Sequence, residues 1–397
     1  MGLPWDPDPD THQGIKGKKA MENKQMIVID ETLREGMQYR GLMFSLEQRI
    51  KILDFQEALG VDICQAGYPP AHEHEAGVVQ ALFEYAKKKG YRIRVGAMGR
   101  AHIQDAGILL QTGIRDFHFH LHISPQAGPN AVDAVLSDLL KPVGEVRKKS
   151  PDAVISVAML DMGRSGPEVL EHCVSFLSRH GIDIVSLPDT SGMMAPHAVY
   201  EKISRLSALA GAARISIHCH NDLGLASANS VMGILAGGRV LEASTLGIGE
   251  RNGIADLYTT AKILRDQGVD MNLKIDDLEL FREYYDYVDG LVYEQTGDHL
   301  LNFNTPVFGR GVGTHTAGTH AGGQYGLAQE TGFYLNVLCG RGLVQKYLAG
   351  HGLACPAEQL DELTRAVKSE SIRLNRSLAL AEIQTLVQNL TDPGPDL

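Results

Sequence analysis

The sequence predicts an α/β protein, a (β/α)8 TIM barrel followed by a smaller, mainly helical C-terminal region. From Gln25 onward, eight short β-branched runs alternate with segments of helical periodicity. No G-x-G-x-x-G sequence follows the first run, as it would in a typical open dinucleotide-binding sheet. Polar residues crowd the C-terminal ends of the runs, where barrels of this type place their active sites.

The eight predicted strands follow one another in a regular order. They are "MIVIDET", "VDICQAG", "RIRVGAM", "DFHFHLHI", "AVISVAMLD", "GIDIVSLPDT", "RISIHCHN" and "VLEASTLGIG". Helical patterns lie between them at 45–59, 72–89, 131–149, 167–179 and 196–209. Ser45 and Gln48 have the spacing of a capping box. Pro167 and Pro196 stand where the first turn of a helix tolerates proline.

Three regions are predicted along the chain. Residues 1–24 are expected to be a mobile, polar leader, because they contain no apolar signal-peptide core. The barrel is expected at 25–275. Residues 276–397 are expected to form the helical subdomain, with a glycine- and histidine-containing loop at 309–326 that reaches an active site.

Composition limits the classes of function. The formal net charge is -11, with 37 Lys plus Arg against 48 Asp plus Glu, which argues against nucleic acid or an anionic membrane as the main partner. Five scattered cysteines without a C-x-x-C pair fit a reducing compartment. No run approaches the ~20 apolar residues of a membrane helix. We therefore expect a cytoplasmic protein that acts on small molecules.

The stretch "ISIHCHNDLGLASANSV" contains two histidines that share one side of a strand. Two imidazoles and a carboxylate are typical of a divalent-metal site with open positions. The carboxylate could come from Glu35, with Asp30 and Asp222 as alternatives. His218 and His220 could instead be packed core residues, and this interpretation is stronger for the three histidines of "HFHLHI".

Five segments taken together, "DETLREGMQ", "QAGYP", "LPDTSG", "HCHNDLGLASANS" and "GIGERNG", resemble the acyl-CoA-condensing 2-isopropylmalate synthase and homocitrate synthase family. This family shares its barrel with 3-hydroxy-3-methylglutaryl-CoA lyase. The resemblance runs in order through the predicted strand ends and into "HTAGTH", so it covers residues 25–325. It implies a Claisen-type condensation of acetyl-CoA with a 2-oxo acid, followed by thioester hydrolysis to an (alkyl)malate-type acid.

The resemblance also implies roles for individual residues. Glu35, His218 and His220 would hold Mn²⁺, Mg²⁺ or Zn²⁺, and Arg34 would stabilise the negative charge that develops on oxygen. The other candidates are Arg164, Thr190, Asp189, Gln38 and Gln65 for substrate binding and Glu250 for catalysis. For "GERNG", a turn closed by an ion pair between Glu250 and Arg251 remains the alternative.

The loop "THTAGTH" is similar to the segment from which these synthases bring a histidine to the active site, often from the partner subunit. His320 is favoured over His315 for this role, in which an imidazole suits proton transfer. Such an arrangement predicts a homodimer with shared active sites. The alternative is a glycine-rich surface loop.

Departures from the family pattern bear on the reaction. No cysteine follows the eighth strand, which favours a synthase over a lyase, although a retro-Claisen or retro-aldol lyase on the same metal remains the alternative. Ile254 favours homocitrate-type chemistry, and the chain is expected to lack a leucine-binding regulatory domain. Met37 and Gln65 replace two carboxylates of the family pattern, so either the substrate has changed or activity has been lost. A barrel hydrolase and a non-enzymatic metal-binding barrel are the remaining rivals.

Overall fold

The β-branched runs form eight parallel strands that close into a barrel. The computed structural model describes residues 25–124, 127–159, 161–316 and 332–391. Each strand pairs with the next along the chain, and the last pairs with the first. The strands are β1 (Ile27–Asp30), β2 (Ile63–Gln65), β3 (Arg94–Arg100), β4 (Asp116–Leu121), β5 (Val154–Met159), β6 (Ile184–Asp189), β7 (Arg214–Cys219) and β8 (Val240–Ala243). The predicted (β/α)8 architecture is confirmed.

Helices alternate with the strands around the barrel. They are α1 (Leu46–Leu59), α2 (Glu73–Lys89), α3 (Ile103–Gln111), α4 (Pro129–Lys149), α5 (Pro167–Arg179), α6 (Pro196–Ser207), α7 (Ala226–Leu235), α8 (Leu257–Asp266) and α9 (Leu278–Thr296). Ser45 and Gln48 form the predicted capping box at the start of α1. Pro167 and Pro196 occupy the first turns of α5 and α6, where no backbone N–H is needed.

The barrel interior is closed by branched aliphatic side chains. Ile29, Ile63, Ile184 and Val240 come from four different strands and form one buried cluster. Because helices cover the outer face of the sheet as well, the strands are apolar on both faces. Buried polar side chains are exceptions in this apolar barrel, and they concentrate at the ends of the strands.

Helix α9 belongs to the same compact unit as the barrel, which extends to Gly297. The hydroxyl of Tyr284 donates to Asp30 Oδ2 at 2.9 Å, and that of Tyr285 donates to Asp256 Oδ2 at 2.9 Å. The boundary predicted at residue 275 lies before this helix.

The second compact unit begins at Asp298. Two short parallel strands, β9 (Thr314–His315) and β10 (Gly332–Phe333), precede α10 (Arg341–Gly350), α11 (Leu360–Leu374) and α12 (Leu380–Thr391). The helices share their own core, which includes Leu343, Leu363 and Ile383. The predicted helical C-terminal region is confirmed. Among the residues described in either unit, no helix is both long and apolar enough to cross a membrane.

Candidate active site

Strands β7, β8 and β1 bring one sector of the barrel mouth together. Strand β8 pairs with β7 on one side and with β1 on the other. His218 lies near the end of β7, His220 follows that strand, and Glu35 lies in the turn after β1. All three side chains are buried.

His218 is held between two buried carboxylates. Its Nδ1 lies 3.0 Å from Glu31 Oε2 and 3.1 Å from Glu242 Oε2. Burial alone would lower the pKa of His218, but the charge of Glu31 and the bond to Glu242 raise it to about 10. Glu242 also accepts a hydrogen bond from Ser216 Oγ at 2.6 Å. Burial opposes its ionisation, yet the hydrogen bond and charge of His218 lower the pKa of Glu242 to about 2.

Glu35 is ionised in this setting. Burial opposes its charge, but the adjacent Arg34 guanidinium and the nearby His218 and His220 lower the pKa of Glu35 below its ordinary value. Its Oε2 contacts Arg34 Nη1, and its Oε1 accepts from the backbone N–H of Glu250 at 3.2 Å. An anchored carboxylate of this kind is a suitable ligand for a hard divalent cation.

His220 has the protonation state of a metal ligand. Burial and the charge of His218 lower its pKa to about 3, so its imidazole is neutral. The two rings lie 5.1 Å apart between centroids. The buried Nδ1 of His220 has no hydrogen-bond partner among the described residues. A buried nitrogen without a partner is costly unless something else occupies it.

These residues fit a divalent cation. Ligand atoms of Glu31, Glu35 and His218 all lie within 4.8 Å of one another. The second oxygen of Glu31, Oε1, is also buried and without a partner in the described part of the chain, as is the nearby His220 Nδ1. The geometry therefore brings Glu35 and His218 into one cluster, adds Glu31 to it, and leaves His220 beside it.

Arg34 joins this cluster to its neighbours. Its Nη2 donates to Glu31 Oε2 at 2.7 Å, its Nη1 contacts Glu35, and its Nε contacts Gln65 Oε1. Burial alone would lower the pKa of Arg34, but the two carboxylates raise it, so the guanidinium is charged. Gln65 Nε2 lies 3.4 Å from His118 Nδ1, and burial lowers the pKa of that histidine to about 4. Gln65 thus fixes the position of Arg34 Nε, and the histidine that contacts Gln65 on its other side, His118, is neutral.

The two alternative carboxylates have other partners. Asp30 accepts from the Tyr284 hydroxyl. Asp222 accepts two hydrogen bonds from Arg251, from Nε and Nη2, both at 2.9 Å. This arrangement favours Glu35 over Asp30 and Asp222 as the carboxylate beside the histidines.

The predicted substrate-binding residues after β5 and β6 hold their loops together. Asp189 is buried and accepts from the backbone N–H of Met194 at 3.0 Å. Thr190 Oγ1 accepts from the backbone N–H of Asp161 at 2.8 Å. Arg164 pairs with Asp161, and its side chain is 69% exposed. Most of the Arg164 side chain therefore faces solvent, whereas Asp189 is buried and bonded within its loop.

Arg251 holds the "GERNG" element in place through several hydrogen bonds. Besides its pair with Asp222, its Nη2 donates to the carbonyl oxygen of Thr190 at 2.6 Å, and its Nη1 lies 3.3 Å from Glu250 Oε2. The ion-pair alternative for this element is thus present in the structure. Glu250 contacts the cluster through its backbone N–H, which donates to Glu35 Oε1.

Three further candidates lie away from the cluster or outside the described residues. Gln38 is exposed and lines a cavity beside Arg34. His315 lies in β9 of the second compact unit. His320 lies outside the described residues, so its role stays a prediction, as does that of His315.

Sequence reasoning missed Glu31 and Glu242. Both carried a signal, since each is a carboxylate within or directly after a run that forms a barrel strand. Such a group is buried only when it has a charged or hydrogen-bonding partner. The partner of both is His218.

Solved structures show the same fold. Hydroxymethylglutaryl-CoA lyase from Pseudomonas aeruginosa superposes with a TM-score of 0.57 at 17% identity, covering 69% of this chain and 95% of that one. At this identity, the likeness concerns the fold alone.

Curated relatives are more similar in sequence. The 2-isopropylmalate synthase of Sulfolobus acidocaldarius is 28% identical over 366 residues, which are 88% of this chain and 92% of the relative. That of Sulfurisphaera tokodaii is 30% identical over 307 residues, 77% of each protein. The homocitrate synthase of Pyrococcus abyssi is 30% identical over 296 residues, 74% of this chain and 78% of the relative.

The family model described as HMGL-like matches residues 25–284. This range includes the whole barrel and the cluster of Glu31, Arg34, Glu35, His218 and Glu242. The chain belongs to the HMGL-like family.

Proposed function

We propose that this protein is an acyltransferase that condenses acetyl-CoA with a 2-oxo acid in the presence of a divalent metal ion. The observation that carries the proposal is the buried cluster of carboxylates and imidazoles, with Arg34 held against it by two of those carboxylates. The names of the relatives, 2-isopropylmalate synthase and homocitrate synthase, support the same reaction class.

The proposed reaction consumes one acetyl-CoA, one 2-oxo acid and one water. The acetyl methyl loses a proton to a base, and the resulting carbon attacks the ketone of the oxo acid. The ketone oxygen takes up a proton and becomes a hydroxyl. Water then cleaves the thioester, which releases free CoA and leaves a 2-hydroxy acid of the (alkyl)malate type.

We propose Glu35 and His218 as metal ligands, with His220 and Glu31 completing the set. When bound, Mn²⁺, Mg²⁺ or Zn²⁺ supplies polarisation of the ketone and a fixed point for the oxo-acid carboxylate. His218 donates to Glu31 and Glu242, and its ring orientation is fixed by these bonds, as is usual for ligating histidines.

Arg34 stabilises the charge that forms on the ketone oxygen during carbon–carbon bond formation. Its guanidinium is charged and buried, and Gln65 and two carboxylates fix its position. A donor that is already in place does not have to reorganise when charge develops, and this preorganisation supplies much of its catalytic effect.

We assign removal of the proton from the acetyl methyl group to a histidine of the second unit, with His320 preferred to His315. The support is the resemblance of "THTAGTH" to the loop that synthases supply from a partner subunit. A homodimer with shared sites is part of this proposal, and size-exclusion chromatography with light scattering tests it.

The test of the reaction is release of free thiol from acetyl-CoA by metal-loaded and EDTA-treated protein. The panel contains pyruvate, glyoxylate, oxaloacetate, 2-oxoglutarate, 2-oxoisovalerate, 4-methyl-2-oxopentanoate and phenylpyruvate. We expect release that requires one class of oxo acid, disappears with EDTA and returns with Mn²⁺, Mg²⁺ or Zn²⁺. Thiol release that does not depend on any oxo acid, or none with the metal bound, would contradict the proposal.

A further inference from the structure

A cavity of about 570 Å³ opens beside Arg34, between the turns that follow β1 and β2. Its lining includes Met37, Met43, Tyr68 and Ala71. A cavity of about 150 Å³ is sufficient for benzene. The space beside Arg34 is therefore much larger than a methyl or isopropyl group requires.

The two arginines of the wall are already paired with carboxylates. Arg49 Nη1 donates to Glu75 Oε1 at 2.9 Å, and its Nη2 donates to Glu75 Oε2 at 2.8 Å. Arg34 is bonded to Glu31 and Glu35. Among the described lining residues, the charge of each arginine is thus already balanced by a carboxylate of the chain.

The two departures from the family pattern remove charge from the same region. Met37 lines the cavity, and its Sδ accepts from Arg49 Nη2 at 3.2 Å. Gln65 contacts Arg34 Nε through a neutral amide oxygen. Glu75, on α2, pairs with Arg49. The absence of a carboxylate at Met37 therefore does not leave the buried Arg49 without a counter-charge.

Tyr68 contributes a fixed aromatic surface. Its hydroxyl lies 3.0 Å from His120 Nε2, and its backbone N–H donates to Glu75 Oε1 at 3.2 Å. Burial lowers the pKa of His120, so this partner is neutral. At the exposed rim, His72 Nδ1 accepts from the backbone N–H of His74. Besides its paired charged groups and the amide of Gln38, the wall thus offers the Tyr68 ring, the thioethers of Met37 and Met43, and the Ala71 methyl group.

We propose that the 2-oxo acid used by this protein carries a large, uncharged, apolar side chain of aromatic or branched-alkyl size, which lies in this cavity. The inference rests on the proposed function, since it assigns the substrate class of that reaction. A distal carboxylate, as in 2-oxoglutarate, would lose its hydration here without gaining a cationic partner. This assignment differs from the homocitrate-type chemistry that Ile254 favours, which stays a prediction, and the affinity for 2-oxoglutarate distinguishes the two.

Binding of oxo acids to Mn²⁺-loaded protein, measured by calorimetry without acetyl-CoA, tests the assignment. Phenylpyruvate and 4-methyl-2-oxopentanoate should bind at least about tenfold more tightly than pyruvate or 2-oxoglutarate, the factor that one or two well-packed methylenes contribute. Equal affinities, tighter binding of 2-oxoglutarate, or no binding at all would overturn the assignment. Size-dependent binding without CoA release would support it and contradict the condensation instead.

Two variants locate the effect in the cavity. Ala71→Phe fills it, and Gly77→Phe adds the same ring on α2 at a position where a Cβ meets open space. Only Ala71→Phe should weaken the binding of phenylpyruvate, by about tenfold, and it should weaken the binding of pyruvate less. Met43→Lys places a cation at a side chain that is 67% exposed, and it should raise the affinity for 2-oxoglutarate relative to phenylpyruvate. Unchanged preferences in both Ala71→Phe and Met43→Lys would overturn the assignment.

Discussion

Charge in the candidate site is unbalanced at the scale of single residues. Two cationic groups, Arg34 and His218, face the carboxylates of Glu31, Glu35 and Glu242. This leaves one net negative charge in a buried setting. A divalent cation bound here would offset this charge, and its binding to His218 would require loss of the imidazolium proton.

Replacing Glu35 tests the ligand set directly. Glu35→Gln should lower Mn²⁺ affinity by at least about tenfold, because an amide carries no charge and leaves Arg34 with one fewer carboxylate. Calorimetric titration measures the effect. Glu84→Gln, a neutralisation on the exposed face of α2, is the matched control and should keep the affinity of the unmodified chain. Equal affinity in both variants would remove Glu35 from the site.

Arg34 should matter to the rate and not to metal binding. A lysine at this position has one ammonium group and cannot reach Glu31, Glu35 and Gln65 together. We expect Arg34→Lys to retain bound metal and to lose about 10²–10³ in kcat, the effect of removing one preorganised donor. Steady-state kinetics and metal analysis on the same sample decide the point. A near-normal kcat would show that Arg34 has a structural role.

At the scale of elements, the turn between β8 and α8 shapes the pocket for Glu35. A Cβ on Gly249 would lie 2.9 Å from Glu35 Cγ, and one on Gly253 would lie 1.9 Å from the carbonyl oxygen of Gly247. Gly253 also has a φ of 83°, which favours glycine. Gly249 is thus explained by its close approach to Glu35, and Gly253 by the tight backbone turn and its positive φ.

Gly249→Ala should displace the Glu35 side chain and weaken metal binding by about tenfold, the size of effect usual for residues that support a ligand. Gly107→Ala, in α3, adds a methyl group in open space and serves as the control. The measurement is again Mn²⁺ titration. If Gly249→Ala bound metal as tightly as Gly107→Ala, the turn would not control the position of Glu35.

The sequence predicted elements more readily than it predicted contacts. Strands and the α1 capping box follow from local patterns, so they could be read from neighbouring residues. His218 and His220 were predicted because two histidines share one side of a strand, and Glu35 was one of three candidate carboxylates until the resemblance to a family singled it out. Glu242 was not predicted, since its partner His218 lies on another strand. A buried carboxylate gives no local sign of the group that neutralises it.

Closure of the barrel assembles the site at the scale of the whole molecule. The hydrogen bond from the Glu250 backbone to Glu35 joins residues that are 215 positions apart in the chain. His218 is likewise brought to Glu31 only when β7, β8 and β1 are adjacent. An unfolded chain cannot present these ligands together, so metal binding should be coupled to folding of the barrel.

Metal should therefore raise the thermal stability of the protein. At a free Mn²⁺ concentration of about 100 times Kd, linkage gives about 2.7 kcal/mol of stabilisation. For a domain of 150–250 residues this corresponds to an increase in Tm of several degrees, at about 2–4 °C per kcal/mol. Differential scanning calorimetry of EDTA-treated protein, with and without Mn²⁺, measures the shift. His218→Ala should abolish it, because that variant removes the proposed ligand whose ring is held by Glu31 and Glu242. An equal shift in both proteins would mean that the ion binds elsewhere.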